Sequence, residues 1–248
     1  MKGGKTGRRG RSAAARIRPF WLPIALAGAL LAGAALFAAA WPGFYPKTIS
    51  VAGNQRVTRA EILARAGIAP NRSLWLEDTG AIARRIRGIP YIATASVHRF
   101  PPALVRIDVS ERVPFAIVRS AFGSAVVDRA LRVLAPAGPQ DREVVFDLGS
   151  DLYLEAGSFV TTRDAFALRD AYDAMTVRHI VPVELSVDRF GGLVATMRDG
   201  LRLLLGSSSD LDRKLGLVDP ILAQVVRDQR RVAAIDLRAP STPVLVYR

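Results

Sequence analysis

Few residues of this chain have the type and spacing that chemistry requires. His98 lies in an alternating apolar segment and His179 precedes another, a spacing that matches no zinc ligand set. The absence of cysteine excludes thiolate metal sites, disulfides and cysteine nucleophiles. Asp147, Asp151 and Glu155 lie close together in the sequence, but a glycosidase needs two carboxylates at a set separation across a groove. We therefore expect both histidines on the surface and these acids on loops or strand faces.

Two other patterns match catalytic or phosphate-binding motifs only in part. No serine has a lysine three positions on, as the Ser-x-x-Lys motif of wall-building transpeptidases requires. The segment Gly206–Asp210 lacks the glycine spacing and the lysine of a P-loop, and indicates a helix N-cap at Ser209 or Asp210. The sequence thus predicts a protein that is not an enzyme and that has no metal, cofactor or small-molecule substrate.

The net charge of +13 is distributed unevenly along the chain. Residues 1–19 hold seven basic residues and no acid, which leaves 28 basic and 22 acidic residues, or +6, in the remainder. This excess is too diffuse to indicate a nucleic-acid partner. The arginines of the tail that we expect to set membrane topology are Arg8, Arg9, Arg11, Arg16 and Arg18.

After this tail come 22 uncharged and mostly apolar residues, Phe20 to Trp41. A helix of that length, at about 1.5 Å per residue, crosses the roughly 30 Å of bilayer hydrocarbon. Basic residues favour the cytoplasmic side of a membrane. We therefore expect a cytoplasmic tail (1–19), a transmembrane helix (20–41), a linker (42–47) and an extracytoplasmic remainder.

Two alternatives stay open at this end of the chain. A cleaved signal peptide would use Ala38–Ala40 as its site, although the apolar run is long for one and the large Trp41 would follow the cut. The basic tail either only orients the helix or also binds anionic membrane lipid and cytoplasmic partners.

The residues after the linker follow strand and helix patterns in turn. Apolar alternation predicts strands at Thr48–Val51, Tyr91–Arg99 and Leu104–Glu111. Capping residues predict two helices between the first two strands, starting at Thr58 and at Asp78 or Thr79. Two prolines place a turn at Phe100–Ala103. The predicted order is strand, helix, helix, strand, strand.

Four short motifs accompany this order: ISVAGNQRVT, Pro90-Tyr91-Ile92, Phe100-Pro101 and Glu111-Arg112-Val113-Pro114. Together they resemble the POTRA domain of the FtsQ/DivIB family of bacterial cell division proteins. The resemblance implies an α+β fold. In it the single transmembrane helix precedes a POTRA domain (48–117) and a C-terminal mixed β-sheet domain with flanking helices (118–248).

The second half of the chain carries looser patterns. A hairpin is predicted at Ala125–Val133, and Ala130 stands where such turns usually carry glycine, so a type I′ turn would be strained there. A helix is predicted from Thr161 or Thr162, followed by a strand around Leu185.

The remaining patterns lead to the C-terminus. Asp199-Gly200 predicts a tight hairpin. Gly206 and Lys214 match the family's helix region, in which Pro220 is expected to split the helix. Two strands are predicted after it, Val232–Arg238 and Pro243–Tyr247.

The resemblance implies a function as well as a fold. The protein would be a non-enzymatic scaffold of the divisome, located in the bacterial inner membrane at the division septum. It would link early and late division proteins, bind FtsB and FtsL, and couple them to the septal wall synthases FtsW and FtsI. The alternatives are an exported wall-active enzyme, which needs a metal or nucleophile, and a POTRA chaperone of outer-membrane assembly, which needs repeated domains and a barrel.

In that family the FtsB segment adds as a strand beside the last strand of the second domain. Pro240 and Pro243 fit an edge strand, and strand addition requires an exposed edge. We therefore predict the partner contact at Arg238, Ala239, Ser241, Val244, Leu245, Val246 and Tyr247.

Glu111, Arg112 and Pro114 close the first domain. Adjacent residues at a strand end point to opposite faces, so one of the two charged residues is expected to pair locally while the proline fixes the exit of the chain. We interpret the three residues as a domain junction. The alternative is that Arg112 contacts a membrane partner. The family resemblance implies that the POTRA domain as a whole contributes to septal recruitment.

Overall fold

The computed structural model describes residues 18–248. Arg8, Arg9, Arg11 and Arg16 lie outside the described residues, so their predicted role in topology stays a prediction. Helix α1 runs from Arg18 to Ala39, and its side chains from residue 21 to residue 37 are exposed. Within residues 18–248, no helix meets the length and apolarity needed to cross a membrane.

The first domain has a three-stranded sheet with two helices packed on it. Its elements follow the predicted order: β1 (Thr48–Ala52), α2 (Arg59–Ala66), α3 (Thr79–Arg87), β2 (Ile92–Phe100) and β3 (Leu104–Glu111). The central strand β3 pairs in parallel with β1 and antiparallel with β2. The core between sheet and helices includes the fully buried Ile62, Ile86 and Ile107.

The predicted caps of the two helices are confirmed. The Thr58 hydroxyl accepts a hydrogen bond from the backbone N–H of Glu61 at 3.2 Å, and α2 ends at Gly67. The Asp78 carboxylate accepts one from the N–H of Ala81 at 3.0 Å. These local bonds satisfy donors that a helix start leaves without a partner, so the sequence is sufficient to place both starts.

The turn after β1 depends on a glycine that packs against β3 of the same domain. Gly53 has a φ of +87°, a conformation that L side chains rarely adopt, and a Cβ there would overlap the carbonyl oxygen of Val109 on β3. The turn therefore lies directly against the sheet, where no larger residue fits.

The second domain contains a nine-stranded sheet within the described residues. Its strands are β4 (Ala116–Ser120), β5 (Gly123–Val127), β6 (Val133–Pro136), β7 (Val144–Asp147), β8 (Glu184–Val187), β9 (Leu193–Thr196), β10 (Arg202–Gly206), β11 (Val232–Asp236) and β12 (Val244–Tyr247). Their order in the sheet is β12-β11-β10-β9-β8-β7-β4-β5-β6. Because β4 begins at Ala116, this sheet starts two residues before the boundary that the sequence predicts.

Three helices belong to this domain: α4 (Arg163–Val177), α5 (Leu211–Gly216) and α6 (Val218–Arg227). They contribute Leu168, Met175 and Leu215 to one core with the sheet. Helix α4 connects β7 to the parallel β8, and α5 with α6 connect β10 to the parallel β11. Parallel neighbours need such long crossovers, whereas the antiparallel pairs are joined by short turns.

Several local predictions in this domain are confirmed. Thr162 caps α4, its hydroxyl accepting from the N–H of Ala165 at 3.3 Å. The chain breaks into α5 and α6 just before Pro220. Asp199-Gly200 forms the turn between β9 and β10, where the N–H of Gly200 donates to the Met197 carbonyl at 3.0 Å.

Two local predictions are confirmed in part. The hairpin predicted at Ala125–Val133 forms between β5 and β6. The residue with positive φ in its turn is Leu131 (+60°) and not Ala130, and the fully buried Leu131 side chain offsets the strain of that conformation. Asp210 occupies the N-cap position of α5, but its side chain makes no capping hydrogen bond and its φ is +53°.

Replacing Gly53 with alanine tests the contact between the β1 turn and β3. We expect Gly53→Ala to lower the free energy of unfolding of the first domain by about 2 kcal/mol or more, because the new Cβ overlaps a backbone oxygen and the φ is unfavourable. Denaturant unfolding measures this loss. Gly138→Ala is the matched control, because Gly138 is not at positive φ and its new Cβ would meet only a side-chain oxygen at 3.8 Å. Equal stability of the two variants would contradict the argument.

Candidate partner-binding edge

The residues that could do chemistry are not assembled into a site. Among the described residues, no group of three histidine, aspartate or glutamate side chains is placed to hold a metal ion. His98, His179, Asp151 and Glu155 are exposed. The Asp147 carboxylate accepts a hydrogen bond from the Arg119 guanidinium at 3.2 Å.

The two ends of the nine-stranded sheet differ in how their outer strands are covered. At the β6 end, the segment Gly157–Val160 lies alongside the strand. The N–H of Val133 donates to the Ser158 carbonyl at 2.9 Å, and the N–H of Gly157 donates to the Val133 carbonyl at 2.8 Å. In the part of the chain that the structure describes, β12 pairs with β11 alone. The open edge is therefore β12.

The hydrogen-bond register shows which backbone groups of β12 face outward. The N–H of Arg248 donates to the Arg231 carbonyl at 3.0 Å, so the backbone N–H of Arg248 faces β11. Backbone groups alternate between the two sides of an antiparallel strand. The backbone N–H and C=O groups of Val246 and Val244 therefore also face β11, while those of Leu245 and Tyr247 face the open side.

The side chains of β12 divide between the core and the surface. Leu245 packs against the core of the domain. Val244 and Val246 are about half exposed, at 54% and 48%. The pair forms an apolar strip beside unpaired backbone groups, which is the combination that an added strand requires.

Three arginines surround the C-terminal end of β12. The Arg230 guanidinium lies 5.0 Å from the centre of the Tyr247 ring, and Arg231 and Arg248 line a hollow of about 340 Å³ together with Val225 and Val226. None of these three arginines was predicted from the sequence as part of the site. Their signal was the Arg230-Arg231 pair immediately before the predicted strand.

The turn that leads into β12 holds the other predicted contact residues. Ala239 and Ser241 are exposed there, and the N–H of Thr242 donates to the Ala239 carbonyl at 3.0 Å. The Arg238 side chain binds Asp236 within the chain, because its Nε donates to both carboxylate oxygens of Asp236 at 3.0 Å. This hydrogen bond lowers the pKa of Asp236 and raises that of Arg238.

The position of Arg238 depends on a glycine in β10. Gly206 has a φ of +67°, and a Cβ there would lie 2.9 Å from Cγ of Arg238. Lys214 stabilises the loop after Gly206, since its buried Nζ donates to the Ser207 carbonyl at 2.8 Å. Burial lowers the pKa of Lys214. Of the two residues that match the family's helix region, Gly206 thus makes room for Arg238, and Lys214 holds the loop that follows β10.

Comparison with known proteins identifies the family. The family model described as POTRA domain, FtsQ-type, matches residues 44–112. The cell division protein FtsQ of Syntrophotalea carbinolica is 32% identical over 222 residues, which cover 87% of this chain and 76% of that protein. The chain belongs to the FtsQ family.

Other members of the FtsQ family show the same likeness at lower identity or over less of their length. The cell division protein FtsQ of Bradyrhizobium diazoefficiens is 25% identical over 203 residues, or 82% of this chain and 57% of that protein. The cell division protein FtsQ of Anaeromyxobacter sp. (strain K) is 29% identical over 234 residues, which cover 90% of this chain and 79% of that protein. The likeness therefore extends beyond the POTRA domain into the nine-stranded sheet.

The FtsQ-type POTRA domain ends at a carboxylate that closes its first turn. Oε1 of Glu111 accepts hydrogen bonds from the N–H groups of Gln55 and Val57 at 2.8 and 3.0 Å, and Oε2 accepts one from Arg56 at 2.9 Å. Burial alone raises the pKa of Glu111, but these N–H donors outweigh it and lower the pKa below its ordinary value.

Arg112 makes the corresponding connection to the second domain. Its backbone N–H donates to the Tyr91 carbonyl at 2.7 Å, and its Nη1 donates to Oδ2 of the buried Asp128 at 2.8 Å. Oδ1 of Asp128 accepts from the N–H groups of Ala130 and Arg132, both at 2.9 Å. Pro114 lies between this ion pair and the start of β4. In this FtsQ family member, Glu111 and Arg112 of the predicted junction bond within the chain.

The lowered pKa of Glu111 predicts a pH-dependent contribution to stability. The contribution is present above the unfolded pKa of a glutamate, about 4.3, and is lost as the pH falls through the lower folded pKa. We expect Glu111→Gln to cost about 1–2 kcal/mol near neutral pH, and this cost to shrink in acid as the wild-type carboxylate also becomes protonated. Denaturant unfolding at a series of pH values measures it. The exposed Asp151→Asn is the control, and a cost for Glu111→Gln that stays constant in acid would contradict the assignment.

Proposed function

We propose that this protein is a non-enzymatic scaffold of the bacterial divisome that binds a partner as an added strand at β12. The observation that carries the proposal is the open edge of β12, with the backbone groups of Leu245 and Tyr247 facing outward beside the half-exposed Val244 and Val246. Main-chain hydrogen bonds would supply affinity, and the valines would supply an apolar contact.

The partner that we propose at this edge is FtsB, together with FtsL, and through them the septal wall synthases FtsW and FtsI. Membership of the FtsQ family supports this choice. The arginines at the end of β12 add a chemical requirement, because Arg230, Arg231 and Arg248 would face the incoming chain near its end. A partner segment with acidic residues at that end would complement them.

We also propose a single-pass anchor in the bacterial inner membrane at the division septum, with the N-terminus in the cytoplasm and both domains in the periplasm. The support is the uncharged run Phe20–Trp41, the basic residues before it and the exposed apolar side chains of α1. The anchor would hold the β12 edge at the membrane where septal wall synthesis takes place.

A charge placed on the apolar strip tests the site. We expect Val246→Glu to weaken binding of a synthetic peptide of the C-terminal FtsB segment by about ten-fold or more, because the added strand would cover an unpaired carboxylate. A pull-down with the full chain measures this. Val177→Glu is the matched control, since Val177 is an exposed valine at the end of α4. Binding that survives Val246→Glu would move the site away from β12, and no binding by the wild type would overturn the proposed partner.

Removal of one outward backbone donor tests the mode of binding. We expect Tyr247→Pro to weaken peptide binding by about ten-fold, because proline has no N–H and its ring obstructs a neighbouring strand. Tyr247→Ala keeps the N–H and is expected to cost about three-fold or less. Equal losses in the two variants, measured by isothermal titration, would show that the tyrosine side chain and not strand addition carries the contact.

A further inference from the structure

The first domain has an aromatic surface that the proposed function does not use. It consists of Phe44, Trp75 and Leu76, and we call it the aromatic end. Trp75 and Leu76 are each about half exposed, at 49% and 47%. Large apolar side chains grouped on a surface indicate an interaction site more often than isolated ones do.

Two separate segments build the aromatic end, and β2 holds one of them in place. The rings of Phe44 and Trp75 meet edge to face, with centroids 6.1 Å apart. Nη1 of Arg99 donates to the carbonyls of Leu74 and Trp75 at 3.1 and 3.3 Å, which ties the Trp75 segment to the end of β2. The exposed rings are thus held in place by bonds to the fold.

The aromatic end lies where the chain arrives from α1. The N–H groups of Lys47 and Thr48 donate to the Ala103 carbonyl at 2.9 and 3.2 Å, so the start of β1 lies beside the β2–β3 turn that follows Phe100. Eight residues separate the last residue of α1 from the first residue of β1. A domain attached by so short a segment stays near whatever surrounds α1.

The charges around the aromatic end favour an anionic surface. Lys47 and Arg99 are exposed there. The two acids beside Trp75 are both engaged by arginines: Glu77 lies 3.9 Å from Nε of Arg72, and Asp78 lies 3.6 Å from Nη2 of Arg84. Aromatic rings flanked by cations are typical of residues at the level of lipid headgroups.

We propose that the aromatic end docks on the headgroup region of the bilayer, so that the first domain lies against the membrane. The proposal rests on the membrane anchor of the proposed function. Docking buries the half-exposed rings and sets the cations against anionic headgroups. It also limits the directions in which the second domain, and with it β12, extends from the membrane.

Fluorescence of single-tryptophan variants of the full chain tests this docking. The protein is reconstituted in vesicles of phosphatidylethanolamine and phosphatidylglycerol, with or without a lipid brominated on its acyl chains close to the headgroup. Trp21→Phe with Trp41→Phe leaves Trp75 as the reporter. Trp41→Phe with Trp75→Phe leaves Trp21 as the reporter of the anchor. The matched control adds Phe190→Trp to a chain without the other three tryptophans, because Phe190 is exposed in the second domain.

We expect brominated lipid to reduce the emission of Trp75 and of Trp21 by roughly two-fold, and to leave the residue 190 reporter unchanged. Quenching of Trp21 without Trp75 would overturn the docking and leave the anchor in place. Absence of quenching at Trp21 would overturn the anchor and the docking with it, while FtsB binding at β12 would remain a separate question. Equal quenching of all three reporters would show general adsorption and also overturn the proposal.

Discussion

The structure depends on the bonds that two adjacent residues at the end of β3 make in opposite directions. Glu111 turns back into the first domain, where its carboxylate accepts from the N–H groups of Gln55, Arg56 and Val57. Arg112 turns forward and donates to the buried Asp128 of the second domain. Because Asp128 also accepts from two N–H groups of the β5–β6 turn, the ion pair joins that turn to the end of the first sheet. A buried carboxylate without its arginine would be costly, so the pair also opposes separation of the domains.

Much of the first domain could be predicted from the sequence because its determinants are local. Thr58 and Asp78 mark helix starts through hydrogen bonds within one turn, and the alternation of β2 and β3 shows which face is buried.

Parts of the second domain could also be predicted. At Pro220, the missing N–H was enough to place the break between α5 and α6. The predicted edge strand rested on prolines and on the family resemblance, and the structure places it at the end of the sheet.

The rest depends on contacts between distant segments. Strand β7 is only four residues long and was not predicted, yet Phe146 is fully buried because the rings of Phe115 and Tyr172 pack on it. Leu131 adopts positive φ because its side chain is needed in the core, a tertiary reason that turn statistics do not contain. The arginines around β12 come from the segment between α6 and β11 and from the C-terminus, and only the sheet brings them together. Arg238 was predicted to contact a partner, but the pattern did not reveal its bond to Asp236.

An open strand edge is a hazard as well as a binding site, because any exposed strand can pair with it. In this protein β12 has four residues, Pro243 precedes it, and a register shift interrupts its pairing with β11 between Val232 and Ala234. These features shorten and twist the surface on which an unrelated strand could pair. The arginines at its end act in the same sense, since a second copy of β12 paired in parallel would bring its own arginines beside them. A partner strand with acidic residues at the matching position would not meet that repulsion. Under the proposed function, the charges that oppose this self-association would therefore also select a complementary partner.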